Sequence, residues 1–181
     1  LQGDWQRSQV FSLVEPEFNE LAGCTLTVLG AGTIGRGVAA VASAFGMDVR
    51  LITSRSSAGE LEIALRQADV LSLHAPLTPA TRGLINAERL SWLKPAAVLV
   101  NLGRGGLIEL PALIEALVQG RLAGAALDVL EKEPPGEELE SLKKVPNLIL
   151  TPHIGWASRQ ARQRLVAALA EALESEIGGR N

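Results

Sequence analysis

One group of glycines has the spacing of a phosphate-binding turn, Gly30-Ala-Gly32-Thr-Ile-Gly35. It follows an apolar run that predicts a strand and opens a pattern that predicts a helix, which is the context this motif requires. Gly30 permits the tight turn, Gly32 lets a pyrophosphate approach the backbone, and Gly35 allows close helix–strand packing. Free N–H groups at the helix start, at Thr33 and Ile34, would attract the phosphates. We therefore expect dinucleotide binding here, the alternative being a plain strand–helix turn.

The segment Ile52-Thr-Ser-Arg-Ser-Ser57 bears on which dinucleotide is bound. NAD sites usually place Asp or Glu after the second strand to hold the ribose 2′-hydroxyl. Here no carboxylate occurs before Glu60, whereas Arg55 is available to pair with a 2′-phosphate. NADP is therefore the favoured cofactor and NAD a possible one, unless Arg55 is merely a solvated loop residue. Hydroxyl groups that could donate further hydrogen bonds stand at Thr53, Ser54 and Ser56.

The chain has two histidines, His74 and His153. Imidazole titrates near neutrality, so it suits a proton-transfer step. His153 follows Pro152 after a predicted strand, and it could also be a structural loop residue. His74 opens a segment with Ala75 and Pro76 that fits a cofactor pocket better than it fits proton transfer.

These residues all follow apolar runs that alternate with helical patterns. Such alternation predicts parallel βαβ units, and hence an α/β fold with a Rossmann-like, doubly wound parallel sheet in three layers. The near-continuous apolar strands predict a sheet covered on both faces. Strands are expected at 25–29, 49–53, 70–73, 97–101, 122–128 and 147–151, and helices at 34–45, 59–67, 87–93 and 111–119. Flanking helices are expected at 6–20 and 158–177, and an irregular stretch at 132–144.

Composition narrows the class of protein. A length of 181 residues predicts a single domain, with a leading helix in 1–22, a core in 23–155 and a C-terminal helix in 156–181. The 47% hydrophobic content excludes disorder, and the net charge of −3 argues against nucleic-acid binding. No apolar run approaches the roughly 20 residues needed to cross a bilayer. A single cysteine, Cys24, and no visible targeting segment predict a cytoplasmic protein, and no metal site is predicted.

Six segments make the chain resemble the NAD(P)-binding domain of the D-isomer-specific 2-hydroxyacid dehydrogenases. They follow the family's order and spacing over nearly all of residues 3–179, which is far more specific than the glycine motif alone. The segments are the glycine-rich turn, Phe45-Gly-Met47, His74-Ala-Pro-Leu-Thr78 with Thr81, Asn101-Leu-Gly-Arg-Gly105, Ala126-Leu-Asp-Val129 with Glu133-Pro134, and Thr151-Pro-His-Ile-Gly155.

The resemblance implies hydride transfer between NAD(P) and a small D-2-hydroxy acid or 2-oxo acid. It implies that His153 is the general acid/base and that Glu133 hydrogen-bonds to it, favouring the protonated imidazole. Arg104 would bind the substrate carboxylate and polarise its carbonyl group. Asp128 ends a strand at the edge where such sheets bind ligands, and would face the nicotinamide side of the cofactor. Individually, Arg104, Glu133 and His153 could each be ordinary turn or loop residues. The remaining cofactor contacts are expected at His74, Ala75, Pro76, Thr81, Leu102, Gly103 and Gly155.

Two residues narrow the branch that the chain resembles. Trp156, directly after the last segment, makes the chain similar to the glycerate dehydrogenase and glyoxylate/hydroxypyruvate reductase branch of the family. This residue could also be a packing aromatic or a dimer contact. Glu133 argues against the formate dehydrogenase branch, in which Gln is expected.

The resemblance also implies what surrounds this domain. The family's substrate-binding domain, contributed mostly by the N-terminal third of the chain, looks absent here, so we expect cofactor binding with slow or no turnover. In the family the cofactor domains form the dimer through the segment before the first strand, which implies a homodimer. Two non-catalytic alternatives remain at this point, a dinucleotide-sensing corepressor and a free-standing NAD(P)-binding module.

Overall fold

A computed structural model describes residues 3–13 and 18–178 of the chain. Its strands are β1 (Thr25–Leu29), β2 (Asp48–Ile52), β3 (Val70–Leu73), β4 (Val98–Asn101), β5 (Gly124–Leu127) and β6 (Leu148–Leu150). They form one sheet in the order β2-β1-β3-β4-β5-β6, in which every neighbouring pair is parallel. The chain runs to one side of β1 and then to the other, so the sheet is doubly wound and the predicted α/β fold is confirmed.

Seven helices accompany the sheet in the described residues. They are α1 (Asp4–Arg7), α2 (Thr33–Ala44), α3 (Ala58–Gln67), α4 (Ala87–Trp92), α5 (Leu110–Val118), α6 (Glu138–Leu142) and α7 (Arg159–Gly178), with a 3₁₀ turn at Gly105–Leu107. Local sequence explains several starts. Ser57 and Glu60 form a capping box on α3, Asn86 caps α4 by accepting the Arg89 N–H, and Pro111 occupies the first turn of α5.

The two faces of the sheet are covered unequally. Leucines from α3, α4 and α5 pack with Leu71, Leu73, Leu99 and Leu127 of the strands in the larger core. On the opposite face, α2 packs against Leu26 and Val28 in a smaller cluster. Within the described residues, the predicted cover on both faces holds for the inner strands β1, β3 and β5, whose residues are nearly all buried. It fails at the two edge strands, where Leu51 of β2 is 39% exposed and Ile149 of β6 is 65% exposed.

The predicted leading helix at 6–20, placed in 1–22, is wrong over the described residues. Helix is confined to Asp4–Arg7, and Ser8 is already extended. Phe11 is 93% exposed and Phe18 is 89% exposed, so no apolar face is buried that could stabilise a longer helix. Residues 1–2 and 14–17 of this prediction lie outside the described residues.

The stretch 132–144, expected to be irregular, contains the short helix α6. Its only buried residue is Leu142, at 3% exposure, which anchors the turn against the protein. The helix expected at 158–177 is confirmed as α7. Its apolar side chains are nevertheless between 54% and 70% exposed at Leu165, Val166, Leu169, Leu173 and Ile177. Within the part of the chain that the structure describes, no helix combines the length and hydropathy needed to span a lipid bilayer.

Candidate active site and cofactor cleft

All six strands point the same way, so the segments that follow them meet at one edge of the sheet. This edge brings together the glycine-rich turn after β1, the hydroxyl-rich turn after β2 and the His74 segment after β3. It also carries Arg104 after β4, Asp128 after β5 and His153 after β6. The predicted site residues therefore share one edge, the place where doubly wound sheets bind ligands.

The glycine-rich turn is shaped by close backbone contacts. Gly30 has a φ of 104°, and a Cβ there would lie 2.5 Å from the backbone of His74 and Ala75. A Cβ on Gly35 would lie 2.0 Å from the Gly30 carbonyl oxygen. By contrast, a Cβ on Gly32 would meet nothing within 4 Å. Packing thus accounts for Gly30 and Gly35, while Gly32 leaves an open approach to the backbone.

The start of α2 carries no competing acid. Gly32 occupies the N-cap, provides no side-chain cap, and the first helical turn contains no acidic residue. Thr33 and Ile34 lie in this first turn, and Ile34 is 71% exposed. An exposed helix N-terminus without an internal carboxylate partner is suited to an anion such as a phosphate.

The turn after β2 is closed by its own hydroxyl groups. The Ser56 Oγ accepts the Thr53 N–H at 3.2 Å, and the Thr53 Oγ1 accepts the Arg55 N–H at 3.1 Å. Ser54 and Arg55 are exposed. Glu60 accepts both the N–H and the hydroxyl of Ser57, which lowers the pKa of its carboxyl group. The acid nearest to this turn is therefore engaged in capping α3.

His74 is held inward by a serine. Its Nε2 lies 2.8 Å from the Oγ of Ser72, a residue only 5% exposed, and burial lowers the pKa of the imidazole. Its neighbour Ala75 lies against Gly30. The Thr81 hydroxyl donates to the Pro76 carbonyl oxygen at 2.6 Å and closes the loop from 76 to 81. The backbone of His74 and Ala75 thus packs against Gly30 of the glycine-rich turn, and Thr81 closes the loop that follows.

His153 and Glu133 form a close pair. The His153 Nδ1 lies 2.6 Å from Glu133 Oε2, and the Leu130 N–H donates to Glu133 Oε1 at 2.7 Å. The hydrogen bond from His153 lowers the pKa of the Glu133 carboxyl group, and the Arg104 charge adds a smaller lowering. Because Nδ1 is occupied, Nε2 is the nitrogen left to exchange a proton with a substrate.

Arg104 lies on the loop after β4. Its side chain is exposed, and its Nη1 donates to the Gly103 carbonyl oxygen at 2.7 Å. Leu102, two residues before Arg104, is 48% exposed. Its side chain lies 3.2 Å from the position that a Cβ on Gly155 would take. An exposed guanidinium at this edge has the donor geometry to bind a carboxylate.

Asp128 holds the loop that carries His153. Its Oδ1 accepts the Thr151 hydroxyl at 2.5 Å and the Ile154 N–H at 2.9 Å, while Oδ2 accepts the Gly155 N–H at 2.8 Å. Burial alone raises the pKa of this carboxyl group, but these hydrogen bonds outweigh it and the pKa is lowered. His153 is held at a φ of 53°, and its N–H donates to the Asp128 carbonyl oxygen. The cofactor contact expected of Asp128 stays a prediction.

A pocket of about 660 Å³ adjoins the His153–Glu133 pair. Its walls are largely apolar, and Lys143, which directly follows α6, also lines it. Its volume is that of a cleft for a small organic molecule. The apolar lining comes from Leu130, Pro134, Pro135, Leu139, Leu148 and Leu150.

Sequence reasoning assigned no role to three polar residues at this edge. Thr151 donates to Asp128, and Ser72 bonds to His74. Asn101 is fully buried and bonds to the Arg104 loop. The available signal was a polar residue inside an apolar strand for Ser72, at the end of one for Asn101 and directly after one for Thr151.

Comparison with known proteins identifies related domains. The family model described as D-isomer specific 2-hydroxyacid dehydrogenase, NAD binding domain, matches residues 2–155. Glycerate dehydrogenase of Methylorubrum extorquens is 40% identical over 181 residues, which cover 98% of this chain and 58% of that enzyme.

Two solved structures show the same fold. D-lactate dehydrogenase from Aquifex aeolicus, complexed with NAD and lactic acid, has a TM-score of 0.84 at 28% identity and is matched over 98% of this chain and 61% of its own. An acyclic imino acid reductase in complex with NADPH and D-Arg has a TM-score of 0.81 at 30% identity, over 99% of this chain and 59% of its own. The chain thus spans about three fifths of the length of these relatives.

Proposed function

The chain belongs to the NAD-binding domain family of the D-isomer specific 2-hydroxyacid dehydrogenases, and from this premise we propose that it is the cofactor-binding and catalytic half of such an oxidoreductase. Its substrates would be a small D-2-hydroxy acid and the corresponding 2-oxo acid. The observation that carries the proposal is the His153–Glu133 pair at the same sheet edge as Arg104 and the glycine-rich turn. This complete set of acid–base and carboxylate-binding groups does not favour the non-catalytic alternatives.

Each polar group has a distinct task in this proposal. Glu133 fixes Nδ1 of His153, so that Nε2 is the atom that donates a proton to the carbonyl oxygen of a 2-oxo acid. In the reverse direction Nε2 accepts the proton of the 2-hydroxyl group. Arg104 binds the substrate carboxylate and stabilises negative charge that develops on the carbonyl oxygen.

The residues fit a nicotinamide dinucleotide. When bound, this cofactor donates or accepts the hydride at the substrate C2. The open backbone at Gly32 and the uncapped start of α2 would hold its pyrophosphate. The remaining contacts are proposed for Gly30, Thr33, Ile34, Gly35, His74, Ala75, Pro76, Thr81, Leu102, Gly103, Asp128 and Gly155.

NADP is the proposed preference. Arg55 is exposed after β2, Thr53, Ser54 and Ser56 accompany it, and Glu60 is engaged by Ser57. Arg55→Ala is expected to weaken NADPH binding about tenfold or more relative to NADH, because a charge-assisted pair with the 2′-phosphate is lost. Arg50→Ala, which removes a surface arginine of β2, serves as the control. An unchanged NADPH-to-NADH ratio in calorimetry of Arg55→Ala would reject the preference.

Four further points extend the proposal. The substrate is glyoxylate or hydroxypyruvate, as the position of Trp156 suggests. Residues 1–181 form one cofactor domain, and a substrate-binding domain completes the active cleft by orienting the acid and excluding water. Two such domains pair as a homodimer. The single cysteine supports a cytoplasmic location.

The test is oxidation of NADPH and NADH by glyoxylate and by hydroxypyruvate in the natural full-length polypeptide. Glu133→Gln and His153→Asn are each expected to lower kcat by about 10²- to 10⁴-fold with cofactor Kd unchanged, since only the acid–base step is removed. Glu131→Gln, two residues away on the exposed surface, is the matched control and keeps its activity. A wild-type protein that oxidises neither cofactor with any 2-oxo acid, or a fully active His153→Asn, would overturn the proposal.

A further inference from the structure

Asn101 is a fully buried polar residue at the end of β4, with 0% exposure. Its Oδ1 accepts the Gly103 N–H at 3.0 Å, and its Nδ2 donates to the Arg104 carbonyl oxygen at 3.0 Å. The side chain thus bonds to the Leu102–Gly103 peptide group through its N–H and to the Arg104–Gly105 peptide group through its carbonyl oxygen. A single amide closes the loop that carries Arg104.

The chemistry of these two bonds requires an amide. One partner is an N–H donor and the other is a carbonyl acceptor, so the side chain must accept and donate at once in a fixed plane. Aspartate would accept from Gly103 but would set a carboxylate oxygen against the Arg104 carbonyl. The two partners also fix which end of the amide is oxygen and which is nitrogen.

The neighbouring glycines leave this loop little freedom to move. A Cβ on Gly103 would lie 3.2 Å from the Leu73 carbonyl oxygen, and one on Gly105 would lie 2.0 Å from the Leu130 carbonyl carbon. Leu130 is also the residue whose N–H donates to Glu133. The Arg104 loop is therefore packed directly against the segment that holds the partner of His153.

Asn101 also connects to the His153 loop through the sheet. Its backbone carbonyl accepts the Asp128 N–H at 3.0 Å, and the Asp128 carbonyl accepts the His153 N–H at 2.9 Å. Asp128, the residue after β5, thus links the end of β4 to the His153 loop that follows β6. A displacement at Asn101 would change the position of Arg104 relative to His153 without touching the cofactor-binding turns after β1 and β2.

We propose that Asn101 is a positioning residue that sets the Arg104 guanidinium against the substrate carboxylate, a role that rests on the function proposed above. It acts through the Gly103 and Arg104 peptide groups and does not itself touch the substrate. Its loss therefore acts through Arg104, and affects substrate binding and alignment more than cofactor binding.

A double-mutant cycle in the full-length polypeptide tests this role. Asn101→Asp is expected to lower kcat/KM for the 2-oxo acid by about 100-fold, mainly through KM, because small misplacements of a substrate-orienting group have effects of this size. Arg104→Ala lowers it at least as much, and the double variant stays within about threefold of Arg104→Ala, because residues that act as a unit are non-additive. NADPH Kd is expected to rise far less than KM for the 2-oxo acid, because only Leu102 and Gly103 among the proposed cofactor contacts lie on this loop. Asn86→Asp, the same substitution at the N-cap of α4, leaves all constants unchanged, because Asp caps as well as Asn.

Additive losses in the double variant, or normal kcat/KM in Asn101→Asp, would overturn the role. A second measurement on the wild-type chain keeps the proposal testable if variants misfold or if no 2-oxo acid is turned over. By NMR, the Gly103 amide and the Asn101 side-chain amide protons are expected to exchange with solvent at least tenfold more slowly than the amide of exposed Ser54. Exchange at the rate of Ser54 would show that the Asn101 bonds do not hold the loop, whatever the fate of the proposed function.

Discussion

Buried polar groups at strand ends organise the candidate site at the residue scale. Asp128 is 6% exposed and takes up three hydrogen bonds from the loop that carries His153. This explains how His153, a non-glycine residue, is held at a positive φ, which is costly for an ordinary side chain. His153, the proposed acid–base group, is therefore oriented by the carboxylate of Asp128, directly after β5, as well as by Glu133.

The lowered pKa of Asp128 predicts acid sensitivity. A carboxyl group whose pKa is lower in the folded state stabilises the fold above its unfolded pKa, about 3.9, and this contribution is lost as pH falls through the folded pKa. The pKa of the Glu133 carboxyl group is also lowered, so this residue contributes to the same loss of stability in acid. The free energy of unfolding should therefore fall on acidification below about pH 5.

Asp128→Asn should remove part of that pH dependence. We expect a loss of about 2–4 kcal/mol at neutral pH, because charge-assisted bonds to Ile154 and Gly155 are weakened, and a shallower fall on acidification. Denaturant unfolding at pH 7, 5, 4 and 3 measures both effects. Asp48→Asn, at an exposed surface pair, should change stability by less than about 0.5 kcal/mol. An Asp128→Asn variant with wild-type stability at every pH would contradict this role.

The residues at the sheet edge were largely predictable, but of their hydrogen bonds only the one between Glu133 and His153 was expected. The pairing of His153 with Glu133 was expected from the resemblance, and the structure places them 2.6 Å apart. The tasks of Asn101 and Thr151 were not predicted, because their partners are backbone groups and a carboxylate brought close only by the parallel sheet. Which side-chain atom forms a hydrogen bond with which partner depends on the conformation of the loops, and the spacing of residues in the sequence does not determine that conformation.

At the scale of elements, the glycines of the glycine-rich turn have two different roles. Some allow close backbone packing, and one leaves room for a ligand to approach the backbone. Gly30 and Gly35 lie where backbones touch, whereas Gly32 faces open space. The helix that follows begins without a side-chain cap, which leaves its first N–H groups available.

Two alanine substitutions on α2 compare a glycine that is tightly packed with one that faces open space. Gly35→Ala places a Cβ 2.0 Å from the Gly30 carbonyl oxygen, so we expect a loss of at least about 3 kcal/mol, or failure to fold. Gly37→Ala meets nothing within 4 Å and should stabilise the helix by about 0.5–1 kcal/mol. Thermal unfolding of both variants measures the difference. Equal melting temperatures would show that the turn tolerates a side chain at position 35.

Strongly patterned elements were predictable and the weakly patterned ones were not. The strands at 25–29 and 70–73 were predicted at their observed bounds, because unbroken apolar runs flanked by turn residues leave little ambiguity. The leading helix failed because its apolar residues have no packing surface in the described chain. The helix α6 was missed because Leu142 alone anchors it, and one buried leucine is no periodic signal.

At the scale of the whole molecule, exposed apolar side chains lie on the segment before β1 as well as on α7. In the segment before β1, Trp5 is 57% exposed, Val10 63% and Phe11 93%, and exposed apolar groups of this kind mark interaction surfaces. This segment is the one through which we propose that two copies associate.

The homodimer predicts a mass of about twice 19.1 kDa by light scattering. Phe11→Asp should shift the chain to the monomer mass, because a carboxylate in an apolar interface is costly to desolvate. Leu169→Asp, at a leucine of α7 that is 60% exposed, is the control and should keep the dimer mass. A wild-type chain with the monomer mass at micromolar concentration would reject the association.

The central claim is that this chain binds a nicotinamide dinucleotide at the edge of its sheet, and calorimetric titration with NADPH and with NADH tests it most directly. We predict saturable binding of one cofactor per chain, tighter for NADPH, that is retained in Glu133→Gln and in His153→Asn. Tighter binding of NADH would keep the fold and remove the NADP preference. No binding of either cofactor to the folded chain would contradict the claim.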